Sequence, residues 1–326
     1  AAFRFKLVAL HSRKLVRNMR LLMGLLAVGF GTAEASSADS AKAAPPRLKV
    51  RRDVRILHVS DTHSLHRNTG DLPDADILIH SGDLATVGSD AELEDFDTWL
   101  GGLKEKYKHM LVIPGNHDFW DTNWRLSHGK MSEAVADDPG YFQSKITNAK
   151  VLNHEVAEVM GLKIWGAGWH PRRGDSSPGN DYGDVPAGVD IVVTHEAPFG
   201  IFDLTGGGHW GSSGALLDAI YRTKAKVHLS GHIHEQRGVW TRNAAGGFDG
   251  GVQYRPSPTS DEVFRPNEPP PADYPVDVES NNAMANQPVV DHSWTGSWTP
   301  QHIVGQPRLI TAVQKDDGWH FSTELP

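Results

Sequence analysis

Short apolar runs recur along the chain, and polar, turn-rich stretches separate them. The runs are mostly apolar rather than alternating, which is the pattern of strands that are buried on both faces of a sheet. They predict strands at Val54–Ser60, Asp76–His80, Met110–Ile113, Leu162–Trp165, Asp190–Thr194 and Val227–Ser230. Two weaker runs near the end, Arg308–Val313 and Trp319–Phe321, predict a closing β-hairpin.

Helical patterns lie between some of these runs. Ser89 and Glu92 form a capping box that starts a helix, and its apolar face carries Leu93, Phe96 and Leu100. A second short helix is predicted at Ser213–Tyr221. Strands that alternate with helices indicate an α/β fold, in which an active site lies beyond the carboxyl ends of the strands.

Two segments do not follow this pattern. Residues 255–300 are rich in Pro, Asn, Asp and Ser, so we expect a long loop or an insertion there. Residues 1–52 have no acid before Glu34, and basic residues precede the apolar run Leu21–Phe30, which is followed by an A-x-A cleavage pattern at Ala33–Ala35. A secretory signal has this layout, and an organellar transit peptide or plain disorder are the alternatives. The folded domain is therefore predicted to span 53–326.

The location of the protein depends on which of these alternatives holds. A cleaved signal places it outside the cytoplasm, in a secreted or periplasmic form, and otherwise it is organellar or cytoplasmic. The apolar run in 1–52 is too short for a membrane-spanning helix.

Composition limits which metal ligands and which partners are available to the protein. There are no cysteines, so any metal must be bound by oxygen or imidazole, and 18 histidines make imidazole available. Residues 53–326 contain 21 Lys or Arg and 38 Asp or Glu, a net charge of −17. An acidic domain of this kind disfavours nucleic acid as a partner.

Metal-ligating side chains follow five of the predicted strands. They are Asp61, His63, Asp83, Asn116, His195, His232 and His234. Imidazole with carboxylate and amide oxygen suits Mn, Fe, Zn or Ni better than Ca. Asp83 stands alone at its strand end and is the natural bridge between two ions. His232 and His234 are two residues apart, so in an extended segment both side chains point the same way and one could reach each ion.

Residues next to the ligands also have candidate roles. His117 follows Asn116, so it should face away from the metals and could protonate a leaving oxygen. Asp118 could orient its ring. His58 and His80 lie within strands, and we interpret them as core residues that bind no metal.

The motifs SDTHS, LIHSGD, IPGNHD, IVVTHEAPFG and GHIHE together resemble the calcineurin-like metallophosphoesterase superfamily. Within it, they are similar to the metallophosphoesterase-domain branch related to class III cyclic nucleotide phosphodiesterases. The resemblance implies a four-layer αββα sandwich with a centre of two divalent metal ions. It assigns the first ion to Asp61, His63, Asp83 and His234, and the second to Asp83, Asn116, His195 and His232. His117 would be the general acid.

This resemblance implies hydrolysis of a small phosphoester, and we expect a phosphodiesterase that acts on small diesters such as cyclic nucleotides through a metal-activated hydroxide. Phosphomonoester or phosphoprotein hydrolysis is the alternative within the enzyme class. A non-catalytic scaffold of the same fold is a weaker one, because no ligand of the motifs is missing.

Overall fold

A computed structural model describes residues 53–136, 138–169, 182–203, 213–242, 248–249, 273–285 and 302–323. The signal-like segment 1–52 lies outside the described residues, as does most of 255–300. None of the helices in the described part of the chain is both long and apolar enough to cross a membrane.

Two mixed sheets form the framework. The first contains β1 (Asp53–Val59), β2 (Ile77–His80), β3 (His109–Val112), β4 (Lys150–Val151), β12 (Arg308–Lys315) and β13 (Gly318–Thr323), in the order β13-β12-β1-β2-β3-β4. The second contains β5 (Glu155–Val159), β6 (Leu162–Ala167), β7 (Ile191–Thr194), β8 (Val227–Ser230), β9 (Gly238–Thr241), β10 (Phe248–Asp249) and β11 (Val278–Asn281), in the order β10-β9-β11-β8-β7-β6-β5.

Alternate residues of the strands face different layers. Ile56, Ile79 and Leu111 of the first sheet join Ile191 and Leu229 of the second in one buried cluster. The intervening side chains of each sheet pack into a separate cluster on its other face. Since both faces of each sheet are covered, the strands need apolar residues at nearly every position.

Helices cover the outer faces. They are α1 (Asp90–Gly102), α2 (Trp120–Ser127), α3 (Glu133–Ala136), α4 (Tyr141–Lys145) and α5 (Gly214–Thr223). Helix α1 buries Leu93, Phe96 and Leu100 against the first sheet, and α5 buries Leu216 and Ile220 against the second. The αββα sandwich expected from the sequence is confirmed.

The capping box of α1 is present. The side chain of Ser89 accepts the backbone N–H of Glu92, and the carboxylate of Glu92 accepts the backbone N–H of Ser89.

We expected a long loop or an insertion over 255–300, and within it Val278–Asn281 are not a loop but form β11. This strand pairs in parallel with β8 and antiparallel with β9, so it lies inside the second sheet. Three of its four residues are polar and completely buried, which is why the sequence looks like a loop. Burial is tolerated because each side chain has a partner. Glu279, for example, accepts the hydroxyl of Tyr274 and contacts His228.

Parallel pairing brings the strand ends together. Strands β1, β2 and β3 are parallel neighbours in the first sheet, and β7 and β8 are parallel neighbours in the second. The polar residues that follow these strands meet at one edge of the sandwich, beyond the carboxyl ends of the strands.

Candidate metal centre

All seven predicted ligands lie at this edge, and their side chains form two adjoining groups. The first group, which we call the first cluster, contains Asp61, His63 and His234. The Nε2 atoms of His63 and His234 are 3.2 Å apart, and Nε2 of His234 is 3.3 Å from Oδ1 of Asp61. Ligand atoms held at about 2.0–2.2 Å from one ion lie about 2.8–3.6 Å from each other. The third distance, from Nε2 of His63 to Oδ1 of Asp61, is 3.9 Å and lies slightly beyond this range, so the first cluster is close to the spacing of one coordination shell.

The second cluster contains Asn116, His195 and His232. Oδ1 of Asn116 lies 3.0 Å from Nε2 of His195 and 2.9 Å from Nδ1 of His232. These distances again match neighbouring ligands on one ion. The amide oxygen of Asn116 thus lies between two imidazoles that come from different strands.

Asp83 lies between the two clusters. Its Oδ2 is 3.4 Å from Nε2 of His63, and its Oδ1 is 3.3 Å from Nε2 of His195. Each oxygen faces a different cluster, so the carboxylate is placed where it could contact an ion in either one. The side chain is buried, so solvent contributes little to holding it there.

The histidine tautomers provide a test of whether these residues fit a metal. Nδ1 of His234 is 2.8 Å from the carbonyl oxygen of Ala285, and Nδ1 of His195 is 2.9 Å from that of Ser81. A carbonyl can only accept, so both Nδ1 atoms carry the proton, and in the neutral rings the Nε2 lone pairs face the Asp and Asn oxygens. Lone pairs that face each other at this distance need a cation between them. The donor set therefore fits divalent metal ions.

A proton competes with a metal ion for the same lone pairs of the ligand histidines. Burial lowers the pKa of His195, but the Asp83 carboxylate outweighs it and raises the pKa to about 10. The pKa of His234 is raised in the same way, because its bond to Asp61 outweighs burial. Burial lowers the pKa of His63 and of His232 to about 3, so these rings are neutral and can ligate directly.

The backbone at the ligands is strained. Asp61, His63, Asp83 and His232 have φ values of 50°, 43°, 53° and 67°, in the left-handed region that non-glycine residues rarely adopt. Each such residue costs on the order of 1–3 kcal/mol, and strain of this kind is concentrated at functional sites. His232 therefore reaches the second cluster through a left-handed turn, whereas we expected an extended segment.

Glycines allow the loops to approach the carboxylates. A Cβ atom on Gly115 would lie 2.2 Å from Oδ1 of Asp83, and one on Gly231 would lie 2.0 Å from Oδ2 of Asp61. Both distances are far inside van der Waals contact. The glycines that precede Asn116 and His232 in the sequence are therefore required by packing at the site.

His117 lies beside both clusters without belonging to either predicted ligand set. A ligand atom of its ring is within 4.8 Å of those of His63 and Asp83, and its backbone N–H donates to Oδ1 of Asp83. Its Nδ1 is 2.7 Å from the carbonyl oxygen of Thr86, so Nδ1 is the protonated nitrogen and Nε2 is available for reaction. The ring stacks on Trp120 with a centroid separation of 3.7 Å.

The orienting role predicted for Asp118 is wrong. Its carboxylate accepts the backbone N–H groups of Leu84, Ala85 and Gly115, at 3.2, 2.9 and 2.7 Å. The His117 ring is oriented by the carbonyl of Thr86 instead. Asp118 holds together the two loops that follow β2 and β3, because their amides converge on its buried side chain.

His58 and His80 have the structural role that we predicted. Both are fully buried, and the ring of His58 bonds to the hydroxyls of Ser81 and Ser280. His80 bonds to the hydroxyl of Thr62. The bond between His58 in β1 and Ser280 in β11 connects the two sheets.

Sequence reasoning missed three backbone carbonyls, those of Ser81, Thr86 and Ala285, which fix the site histidines. A carbonyl leaves no signature in the residue type, so the motifs give no signal for it. The Trp169 ring packs against His232 with a centroid separation of 4.7 Å.

Comparison with known proteins identifies a matching family model and similar sequences. Residues 54–236 match the family model described as calcineurin-like phosphoesterase. The chain is 32% identical over 202 residues to a UPF0046 protein of Caenorhabditis elegans, covering 58% of this chain and 71% of the relative. It is 30% identical over 248 residues to human metallophosphoesterase domain-containing protein 1, covering 67% of this chain and 69% of the relative.

A solved structure of the protein TT1561 from Thermus thermophilus aligns with a TM-score of 0.38 and 14% identity. The alignment covers 60% of this chain and 88% of that one.

Proposed function

The chain belongs to the calcineurin-like phosphoesterase family, and on that basis we propose that it hydrolyses small phosphodiesters, such as cyclic nucleotides, at a centre of two divalent metal ions. Metal-dependent phosphoester hydrolysis is the general activity that the family supports. The number of ions, the substrate and the residue roles given below are parts of the proposal.

The position of Asp83 is the observation that carries it. Its two oxygens face His63 on one side and His195 on the other, at 3.4 and 3.3 Å. A single metal site would not need a carboxylate directed at two sets of nitrogen ligands. When bound, two adjacent ions would hold the phosphoryl oxygens and lower the pKa of a water molecule that attacks phosphorus.

Charge supports a diester over a monoester. Two divalent ions bring four positive charges, and the carboxylates of Asp61 and Asp83 neutralise two of them. A diester with one negative charge and an attacking hydroxide bring the centre close to neutrality. A monoester dianion would add one more negative charge in a buried site, where uncompensated charge is costly.

His117 completes the proposed chemistry on the leaving-group side. The Thr86 carbonyl accepts Nδ1–H, so Nε2 is the nitrogen that takes up a second proton, and the imidazolium gives this proton from Nε2 to the departing oxygen. Trp120 stacks on the ring and restricts its rotation. The imidazole is thus held in one orientation before substrate binds, which lowers the entropic cost of the proton transfer.

A phosphoester panel tests the proposal. The full chain, reconstituted with Mn²⁺, Zn²⁺, Fe²⁺ or Ni²⁺, is assayed on bis-p-nitrophenyl phosphate, p-nitrophenyl phosphate, and 3′,5′- and 2′,3′-cyclic nucleotides. We expect faster turnover of the diesters, and faster turnover of p-nitrophenyl phosphate would favour the phosphomonoesterase alternative. No turnover of any member by protein that holds two metal ions would refute the enzyme proposal.

A further inference from the structure

The carboxylate of Glu92 accepts more hydrogen bonds than a helix cap requires. In a capping box the glutamate accepts the backbone N–H of the N-cap residue, here Ser89, at 3.0 Å. Glu92 also accepts the hydroxyl of Ser64 at 3.0 Å and the backbone N–H groups of Thr86 and Val87 at 3.1 and 3.4 Å. The additional donors belong to the loop after β2 and to the turn that carries His63, so one side chain joins the helix to the site.

Thr86 is the residue on which these bonds converge. Its backbone N–H donates to Glu92 and to the hydroxyl of Ser64, and its own hydroxyl donates to the carbonyl of His63 at 3.0 Å. Its carbonyl accepts Nδ1–H of His117 at 2.7 Å. Glu92 therefore holds the peptide group that precedes Thr86, through its N–H. The peptide group that follows Thr86 supplies the carbonyl that binds His117, the proposed general acid.

We propose that Glu92 is a positioning residue for His117 and that it acts through the carbonyl of Thr86. This inference rests on the proposed function, in which His117 is the general acid. If the loop at Thr86 moves, the carbonyl no longer selects Nδ1–H, and Nε2 is no longer held as the nitrogen that takes up a proton and passes it to the leaving oxygen. A misplacement of about 1 Å at a reacting group can cost on the order of 100-fold in rate.

A leaving-group comparison tests the kinetic consequence. Glu92→Ala is compared with wild type on bis-p-nitrophenyl phosphate, which has a good leaving group, and on diphenyl phosphate, which has a poorer one. We expect kcat to fall by about 10- to 100-fold on diphenyl phosphate and much less on bis-p-nitrophenyl phosphate, with KM nearly unchanged. The double variant Glu92→Ala/His117→Ala should be no slower than His117→Ala. Equal losses on both substrates, or additive losses in the double variant, would overturn the proposal.

Ser89→Ala provides the matched control. It removes the hydroxyl that caps α1 and that donates to Oε2 of Glu92 at 2.8 Å, but it leaves the bonds of Oε1 to Thr86 and Ser64. We expect a lower melting temperature with an unchanged leaving-group dependence. If Ser89→Ala reproduces the kinetics of Glu92→Ala, the effect comes from the helix and the proposal is wrong. Should Glu92→Ala fold poorly, Glu92→Gln keeps an oxygen that can accept from Thr86 and should restore most of the rate on diphenyl phosphate.

A spectroscopic measurement tests the positioning without turnover. The ring nitrogens of His117 are followed by ¹⁵N NMR in the Zn²⁺-loaded full chain and identified by their loss in His117→Ala. Wild type and Ser89→Ala should show a single Nδ1–H tautomer, and Glu92→Ala should show a mixture. A single Nδ1–H tautomer in Glu92→Ala contradicts the inference. Because no substrate is used, this result stays informative even if the phosphoester panel fails.

Discussion

Replacing Asp83 by Asn removes one negative charge from the centre and preserves the shape of the side chain. The amide oxygen can still accept the backbone N–H of His117, which is 2.9 Å from Oδ1 of Asp83. The amide nitrogen then takes the place of an oxygen that faces an imidazole, where it can donate but cannot bind a metal ion. The fold should survive, while both clusters lose the carboxylate that they share.

The expected loss of metal affinity follows from the number of clusters that the carboxylate contacts. Residues that only support metal ligands change metal affinity by about 10- to 100-fold when they are mutated. Asp83 faces His63 and His195 directly, so its loss should exceed about 100-fold, or about 2.7 kcal/mol, at both sites. Asp61→Asn is the matched control. Oδ1 of Asp61 lies 3.3 Å from Nε2 of His234 in the first cluster, and its hydrogen bond to the second cluster is made to the backbone N–H of His232, which an amide oxygen can still accept. The substitution should therefore cost one ion of two.

The measurement is metal content after dialysis against a weak chelator, by elemental mass spectrometry, with near-UV circular dichroism to verify folding. We expect two ions in wild type, one in Asp61→Asn and none in Asp83→Asn. A folded Asp83→Asn protein that retains two tightly bound ions would refute the bridging role. One ion in Asp83→Asn and none in Asp61→Asn would mean that the two carboxylates have been assigned the wrong way round.

Three further predictions concern the acid, a close contact and the unexpected strand. His117→Ala should keep both metal ions but lose about 10²- to 10⁴-fold in kcat on substrates with poor leaving groups, and an equal loss on all substrates would contradict its acid role. Gly231→Ala places a methyl group 2.0 Å from Oδ2 of Asp61. It should lower the free energy of unfolding, measured by urea denaturation, by about 1–3 kcal/mol, and it should also lower metal affinity. Gly214→Ala, whose added methyl group meets nothing within 4 Å, should be near neutral. Glu279→Leu leaves two buried donors without their acceptor and should lower the free energy of unfolding by about 2–6 kcal/mol, and a loss below about 1 kcal/mol would show that β11 does not depend on this contact.

Much of the fold could be read from apolar patterning. The strands that build the two sheets are short runs such as Ile77–His80 and Ile191–Thr194, which are buried on both faces and therefore almost wholly apolar. The start of α1 was predictable from the capping box at Ser89 and Glu92, because this motif depends only on residues that are close together in the sequence. Strand β11 escaped prediction because Glu279, Ser280 and Asn281 are buried by partners on distant segments, and patterning cannot show such partners.

The chemical identity of the site was also present in the sequence. Asp61, Asp83, Asn116 and His195 each follow an apolar run within a few residues, and the covalent chain itself delivers them to a strand end. Parallel strands place their carboxyl ends at one edge, so a meeting of these residues could be expected once the sheet was predicted.

The tertiary structure alone decided how these residues are used. It directed the two oxygens of Asp83 to different clusters, assigned the Thr86 carbonyl rather than Asp118 to the ring of His117, and placed Glu92 behind Thr86. Each of these contacts joins segments that are far apart in the sequence or uses a backbone atom that every residue possesses. The sequence by itself determines which ligand-type side chains stand at the strand ends of this protein, because that depends on local pattern. The partners and orientation of each side chain depend on packing between the two sheets and their loops, which only the folded chain specifies.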